Sequence, residues 1–248
     1  MWKFSRPTHY GNLGIACLVA ASLPLIFSNP ALGQGAVSAC IGDFSGNRAT
    51  LTGTCSYYTL PGAAGAPSTA PTGTYYSGQL VNGIPSGRGV LVYPTNDRYE
   101  GQFRGGVPSG RGLFVFANDD RYEGDFQNGF PNGSGTFIYS SGDRYTGQVR
   151  NGLQNGAGTF TFANGDRYNG SFANGQVRGN GTFTFVNGDR CTGEFFGSDL
   201  SGRGNCTFAN GDRYTGEFRA SRPHGVGTIT YRNGRTVSGQ FRNGRPIS

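Results

Sequence analysis

Cys191 and Cys206 lie in the stretch DRCTGEFFGSDLSGRGNCTFA (189–209), and Cys40 and Cys55 lie in CIGDFSGNRATLTGTC (40–55). Both pairs are separated by the same number of positions. Thiols so placed could form disulfides, hold a metal or act as nucleophiles. A metal would need further His or Cys ligands, and a nucleophile would need a base. The chain has two histidines, His9 near the start and His224 in RPHGVG, and one lysine, Lys3. Neither a metal cluster nor a His-containing triad can be assembled from so few. The aspartates Asp97, Asp120, Asp143, Asp166, Asp189 and Asp212 recur at one position of successive turns. Glycoside hydrolysis needs two carboxylates facing each other in a cleft, whereas turn geometry accounts for a ladder. SGRG (86–89 and 109–112) lacks the Lys-Ser/Thr and the helix of a phosphate-binding loop. The expectation is a protein that is not an enzyme and carries no cofactor.

Arginine is the other group with binding chemistry. Arg98, Arg121, Arg144, Arg167, Arg190, Arg213 and Arg235 form a second ladder, the first six each preceded by Asp. Opposite charges so close suggest a self-neutralising, solvated edge. From residue 213 to the end, Arg213, Arg219, Arg222, Arg232, Arg235, Arg242 and Arg245 face a single acid, Glu217. That cationic end is the candidate anion site, suited to acidic phospholipid head groups or an acidic glycan through bidentate contacts.

Compartment bears on both. Lys3 and Arg6 form a basic start, Leu13 to Phe27 is apolar, and Ala31-Leu32-Gly33 supplies small residues. Residues 1–33 therefore read as a secretory signal peptide, too short in its apolar run to span a membrane. Its removal leaves 19 Arg minus 14 acids, a formal charge of +5, and four cysteines. An even cysteine count in an exported chain favours disulfides. The expected location is periplasmic or extracellular, and nucleic acid is not an expected partner.

The positioning elements follow from a period. Tyr76, Tyr99, Tyr122, Tyr145, Tyr168, Cys191, Tyr214 and Val237 are each 23 residues apart, and each has a glycine two residues later. A second glycine pair, from Gly87/Gly89 to Gly225/Gly227, keeps step. Eight copies without an insertion imply a stacked array. In one copy RYEGDF (121–126) and GSGTFIY (133–139) each alternate with period two beside Asn-Gly and Gly-Asp turns, the signal of a hairpin. Pairing Tyr122 with Phe137, Gly124 with Gly135 and Phe126 with Gly133 puts all six on one face. Rings then lie beside positions without side chains, each buried ring contributing roughly 1.5–3 kcal/mol. The same register sets Cys191 opposite Cys206, close enough for a disulfide. Cys40–Cys55 reads as a second such bond in a diverged hairpin (34–59), joined by the Pro/Gly/Ala linker 60–73 to an array over 74–248.

YEGQFRGGVPSGRG (99–112) and YEGDFQNGFPNGSG (122–135) resemble MORN repeats, with Cys191 and Val237 departing at the tyrosine and Leu80 and Val149 at the following aromatic. The resemblance implies an all-β fold: an elongated, single-layer, twisted antiparallel sheet of successive MORN-type hairpins, here with a small disulfide-linked hairpin at the N-terminus. It also implies non-enzymatic roles, namely scaffolding, dimerisation, protein binding and contact with acidic phospholipid. An aromatic groove is expected over Tyr99, Phe103, Tyr122, Phe126, Phe137, Tyr145, Phe160, Tyr168, Phe172, Phe183, Tyr214 and Phe218.

The second face differs along the chain. Val90, Val92, Leu113 and Val115 give way to Thr159, Thr161, Thr182 and Thr184. A strand apolar on both faces calls for cover, from residues 34–72 or from another copy. The function expected is an exported scaffold that binds a protein partner, in particular itself as a homodimer. The alternative is a module for acidic membrane surface or envelope glycan.

Overall fold

Two turns in every 23 residues, Asn-Gly or Gly-Asp in most of the central copies, require two strands per copy. The computed structural model describes residues 75–81, 84–93, 95–197 and 199–247, and there the chain is all strand and turn. The Tyr-x-Gly halves are β1 (Tyr75–Val81), β3 (Arg98–Arg104), β5 (Arg121–Gln127), β7 (Arg144–Arg150), β9 (Arg167–Ala173), β11 (Arg190–Phe196), β13 (Arg213–Arg219) and β15 (Thr236–Arg242). The Gly-x-Gly halves are β2 (Ile84–Val92), β4 (Val107–Val115), β6 (Phe130–Ile138), β8 (Leu153–Thr161), β10 (Gln176–Thr184), β12 (Asp199–Thr207), β14 (Arg222–Thr230) and the short β16 (Arg245–Ile247). They follow sequence order in one antiparallel sheet, as the all-β reading expects. The signal peptide 1–33, the Cys40–Cys55 hairpin and the linker 60–73 lie outside the described residues.

By compactness the described chain falls into an N-terminal unit, 75–140 with 149–152, and a C-terminal unit, 141–148 with 153–247. Each is built by the same rules. In the N-terminal unit the β5–β6 turn is Asn128-Gly129, with φ of +52° and +85°. Both central residues are left-handed, which is the tight hairpin turn that Asn-Gly favours. The Gly129 N–H then donates to the Pro108 carbonyl of the preceding repeat at 2.9 Å. At the opposite end Asp97 Oδ1 accepts from Ala117 N at 2.8 Å, and Asp120 Oδ1 accepts from Ser140 N at 2.8 Å. Both ends of a repeat are thus sewn to its neighbour. One inserted residue would pull a donor off its acceptor, which explains the constant period.

The C-terminal unit repeats the stitches. Gly175 N reaches Gln154 O and Gly244 N reaches Pro223 O, both at 2.9 Å. Asp143, Asp166, Asp189 and Asp212 accept from the backbone N–H of Ala163, Val186, Ala209 and Arg232. One hairpin departs in sequence: Ala220 and Ser221 take φ of +48° and +57° without glycine or asparagine. There the Ser221 hydroxyl accepts from Leu200 N at 3.0 Å, a side-chain contact that offsets part of the strain.

The register bears out two of the three pairs expected and corrects the third. Tyr122 faces Phe137 and Gly124 faces Gly135, but Phe126 faces Pro131 rather than Gly133. A bulge after Gly124 gives β6 extra residues, with Gly133 at φ +112°. Phe126 does find a glycine, Gly110, on the strand before it. The ring–glycine match therefore joins neighbouring repeats instead of the two halves of one. Cys191 lies opposite Cys206 and is bonded to it, with Cα atoms 4.1 Å apart.

Candidate functional site

A tyrosine two residues before a strand glycine can lay its ring flat over that glycine and the one opposite. In each unit it does so. Over Gly112 and Gly101 lies the ring of Tyr99, and over Gly158 and Gly147 that of Tyr145. The hydroxyl then reaches the carbonyl three residues on, Gln102 O at 2.8 Å and Gln148 O at 2.7 Å. Where both neighbours are phenylalanine the ring is met edge-on by that of its own and that of the following repeat, Tyr99 by Phe103 at 5.1 Å and Phe126 at 4.8 Å, Tyr214 by Phe218 and Phe241 at 5.0 Å. Tyr145, with Val149 in its own repeat, is met by Phe172 at 4.9 Å.

The aromatic side is consequently closed. None of the twelve residues of the expected groove, Tyr99, Phe103, Tyr122, Phe126, Phe137, Tyr145, Phe160, Tyr168, Phe172, Phe183, Tyr214 and Phe218, is more than 8% exposed. They are the core of the repeat, their ring faces spent on glycines and on one another. Further rings are buried in each unit, Tyr93, Phe116 and Tyr139 in the N-terminal one and Phe162 and Phe208 in the C-terminal one. Their spacing of 23 residues, or of two such intervals between Phe162 and Phe208, is the signal the sequence holds for them. Burial raises the hydroxyl pKa of Tyr99, Tyr145 and Tyr168, and pushes that of Tyr214 up to about 12. Because the folded values exceed the unfolded value near 10, the neutral phenols favour the fold. Stability is therefore unaffected below pH 10 and is lost as pH climbs through the folded values. Thermal unfolding recorded between pH 7 and pH 12 should show a flat Tm followed by a fall above 10.

The repeat with cysteines solves the same packing problem differently. Without a tyrosine, Gly193 and Gly204 are covered by Leu200, whose Cδ1 lies 2.7 Å from where a Cβ on Gly193 would sit. Leu200 is 1% exposed and occupies the place of Pro108, Pro131 and Pro223 in other repeats. Three residues change together: the disulfide replaces the Tyr/Phe contact, and the leucine fills the space the ring leaves.

The turn aspartates are structural. Asp97, Asp120, Asp166 and Asp212 are buried. One oxygen of Asp120 takes the next repeat's N–H and the other takes Asn118 Nδ2 at 2.9 Å, as Asp166 does with Asn164. Among the described residues no arginine of the ladder is ion-paired with the aspartate before it, which corrects the self-neutralising edge; the ion pairs are Arg98–Glu100 at 2.6 Å and, outside the ladder, Arg111–Asp125 at 3.7 Å. Among the described residues no three His, Cys, Asp or Glu are grouped to hold a metal ion. His224 sits within β14, not in a turn.

The seven C-terminal arginines do not form one patch. Arg219 lies opposite Arg222, and Arg242 opposite Arg245, at the tips of two hairpins. Arg213 begins β13, and Arg232 and Arg235 lie in the turn between β14 and β15, Arg235 stacked 4.7 Å over the Tyr231 ring. In the N-terminal unit a cleft of about 330 Å³ opens among Gln79, Arg88, Gln102, Arg104 and Ser109.

The family model for the MORN repeat matches seven consecutive segments, 76–98, 99–121, 122–144, 145–167, 168–190, 191–213 and 214–234. No curated protein sequence matches the chain. Among solved structures, it is similar to the dCPAP TCP domain of Drosophila melanogaster in complex with a proline-rich motif of dSTIL. That match has 15% identity and a TM-score of 0.43, covering 74% of this chain and 99% of that one. The G-box domain of the microcephaly protein CPAP is similar at 13% identity and a TM-score of 0.40, covering 72% and 100%.

Proposed function

The chain belongs to the MORN repeat family, and from that premise we propose that it is a non-enzymatic exported scaffold whose partner is a second copy of itself. The observation that carries this reading is the second face of the N-terminal unit. Across its strands the register runs Val92, Arg98, Val115, Arg121 in one row and Val90, Glu100, Leu113, Glu123 in the next. Apolar and charged side chains alternate, with arginines in one row and glutamates beside them. A two-fold axis would bring the arginine–glutamate edges of the two copies together, Arg98 and Glu100 already paired within each chain, while the aliphatic side chains meet. Such a face is its own complement. A disulfide suits an oxidising compartment, which supports export through the leader at 1–33.

Sedimentation equilibrium of the oxidised chain should report a dimer at micromolar concentration. Val92→Arg with Val115→Arg should return it to monomer with an unchanged β-sheet circular dichroism spectrum. A wild-type chain that stays monomeric throughout that range would contradict self-association.

A second reading rests on the two hairpin tips. Directly opposed like charges destabilise a pair of strands, and an acidic phospholipid head group or envelope glycan lying between Arg219 and Arg222, or Arg242 and Arg245, would relieve that repulsion. Binding there should weaken with salt, and binding to acidic vesicles or glycan that is indifferent to salt would remove this reading.

A further inference from the structure

Turned away from the rings, the C-terminal unit carries a row of cations with no neutralising partner. Arg167 lies opposite Thr184, Thr184 opposite Arg190, Arg190 opposite Thr207, and Thr207 opposite Arg213. Arginine and threonine alternate, so the arginines recur every second strand, about 9.6 Å apart at ~4.8 Å per strand. All three are exposed, and among the described residues no hydrogen bond or ion pair engages their guanidinium groups. The aspartates that precede them turn their carboxylates to backbone N–H groups of the turns. The nearest acids along these strands on the same face, Glu194 and Glu217, stand four residues from Arg190 and Arg213. That is roughly 13 Å, beyond the ~8 Å screening length of physiological salt.

Beside the cations runs a parallel polar row. Asn169, Thr182, Thr192, Asn205 and Thr215 meet in register across the same five strands. Asn169 donates to Thr159 Oγ1 at 2.7 Å, and the hydroxyls of Thr182 and Thr192 are 3.1 Å apart. These groups keep further donors and acceptors for a ligand.

We infer that this face binds a linear acidic polysaccharide laid across the strands, with carboxylates on Arg167, Arg190 and Arg213 and sugar hydroxyls on the Thr/Asn row. Equal spacing of cations rewards a ligand whose charges repeat at a matching interval, and a parallel row of hydroxyls and amides rewards one that is polyhydroxylated between them. A nucleic acid would want exposed aromatic platforms for its bases, and the rings are buried on the other side. A bilayer would want apolar side chains to enter it, and neither row contains one. An exposed ion pair is worth up to about 1 kcal/mol, so affinity arises from repetition along the polymer. The ligand's sign is shared with the hairpin-tip reading, but the residues are different, and the test separates them.

The experiment is calorimetric titration of the full oxidised chain with oligogalacturonates of defined length. Affinity should rise with length until the oligomer spans the three arginines and then level off. R167Q/R190Q/R213Q should lose about 30-fold, the sum of three exposed pairs at ~0.7 kcal/mol each, with Tm unchanged. The charge-conserving exchange T184R/R190T, which moves one cation by one strand, should lose about 3-fold, as expected for one pair put out of step. Neutralising the tips (Arg219, Arg222, Arg242 and Arg245 to Gln) should change binding by no more than about 2-fold, a screened surface effect. Affinity independent of length would overturn the proposal. So would a triple variant or exchange variant that binds as wild type. Phosphatidylserine vesicles or single-stranded DNA competing with the same residue dependence would assign the row to a different polyanion and overturn it equally.

Discussion

Gly135→Val should cost about 4 kcal/mol or more and unfold at least the hairpin that contains it. A Cβ on Gly135 would fall on the Tyr122 ring, meeting its hydroxyl, Cε2 and Cζ. The backbone has no room to retreat, because across the ladder the same ring covers Gly124, whose own Cβ would sit 2.5 Å from Gly135 Cα. The ring must therefore leave. It is fully buried, touches Phe126 and Phe137, and donates to Asp125 O at 3.0 Å. Evicting a buried aromatic costs about 3–5 kcal/mol, and overpacking adds to it. The contrast is Gly105→Ala in a hairpin turn, where nothing lies within 4 Å and the cost is set by φ of +58°, about 1–2 kcal/mol. If ring eviction is the mechanism, Tyr122→Ala with Gly135→Val should cost no more than Tyr122→Ala alone, a coupling readable in a double-mutant cycle by urea denaturation.

The second large effect belongs to the repeat that has no tyrosine. Cys191→Ser with Cys206→Ser should lose about 3 kcal/mol for the crosslink alone, on the loop-entropy account. The two hydroxyls would add to this by being buried where the sulfurs were, both cysteines being 1% exposed. Cys191→Tyr with Cys206→Phe should fail as well, because Leu200 already occupies the space over Gly193 and Gly204. Adding Leu200→Pro should recover most of the stability without the Cys191–Cys206 bond, since Pro is what accompanies the ring at residues 108, 131 and 223. Guanidinium denaturation of the four proteins under oxidising and reducing conditions measures this. Only the wild type should lose stability on reduction beyond the change that all four proteins share through Cys40 and Cys55.

Those two results explain what could be read in advance. Tyr, Gly, Phe and Asn-Gly at a fixed interval state a hairpin array openly, since each type has one physical use there: ring, space under the ring, ring edge, left-handed turn. Cys191 and Cys206 were legible for the same reason, standing at positions already assigned to facing partners. The bulge after Gly124 was not, because the extra residues in β6 are paid for locally by Gly133 and the Asp125–Ser134 contact, which have no period-two signature. Leu200 was missed because its role appears only when Gly193 is known to lack a ring above it. The groove over Tyr99 to Phe218 was expected to be open because alternation reports which residues share a face and says nothing of what lies on top. Likewise, the aspartates and arginines look like partners when read along the chain, and part company once the aspartates are seen to take N–H groups from the next repeat.

The register that sets each tyrosine position opposite the aromatic of its own hairpin underlies both the buried rings and the arginine row. Peptide mapping of unreduced, proteolysed protein tests it most directly. The register predicts one fragment pair joined through Cys191 and Cys206. A bond from either residue to Cys40 or Cys55 would mean that the strands pair otherwise, and the closed row of rings and the arginine row behind it would both be wrong.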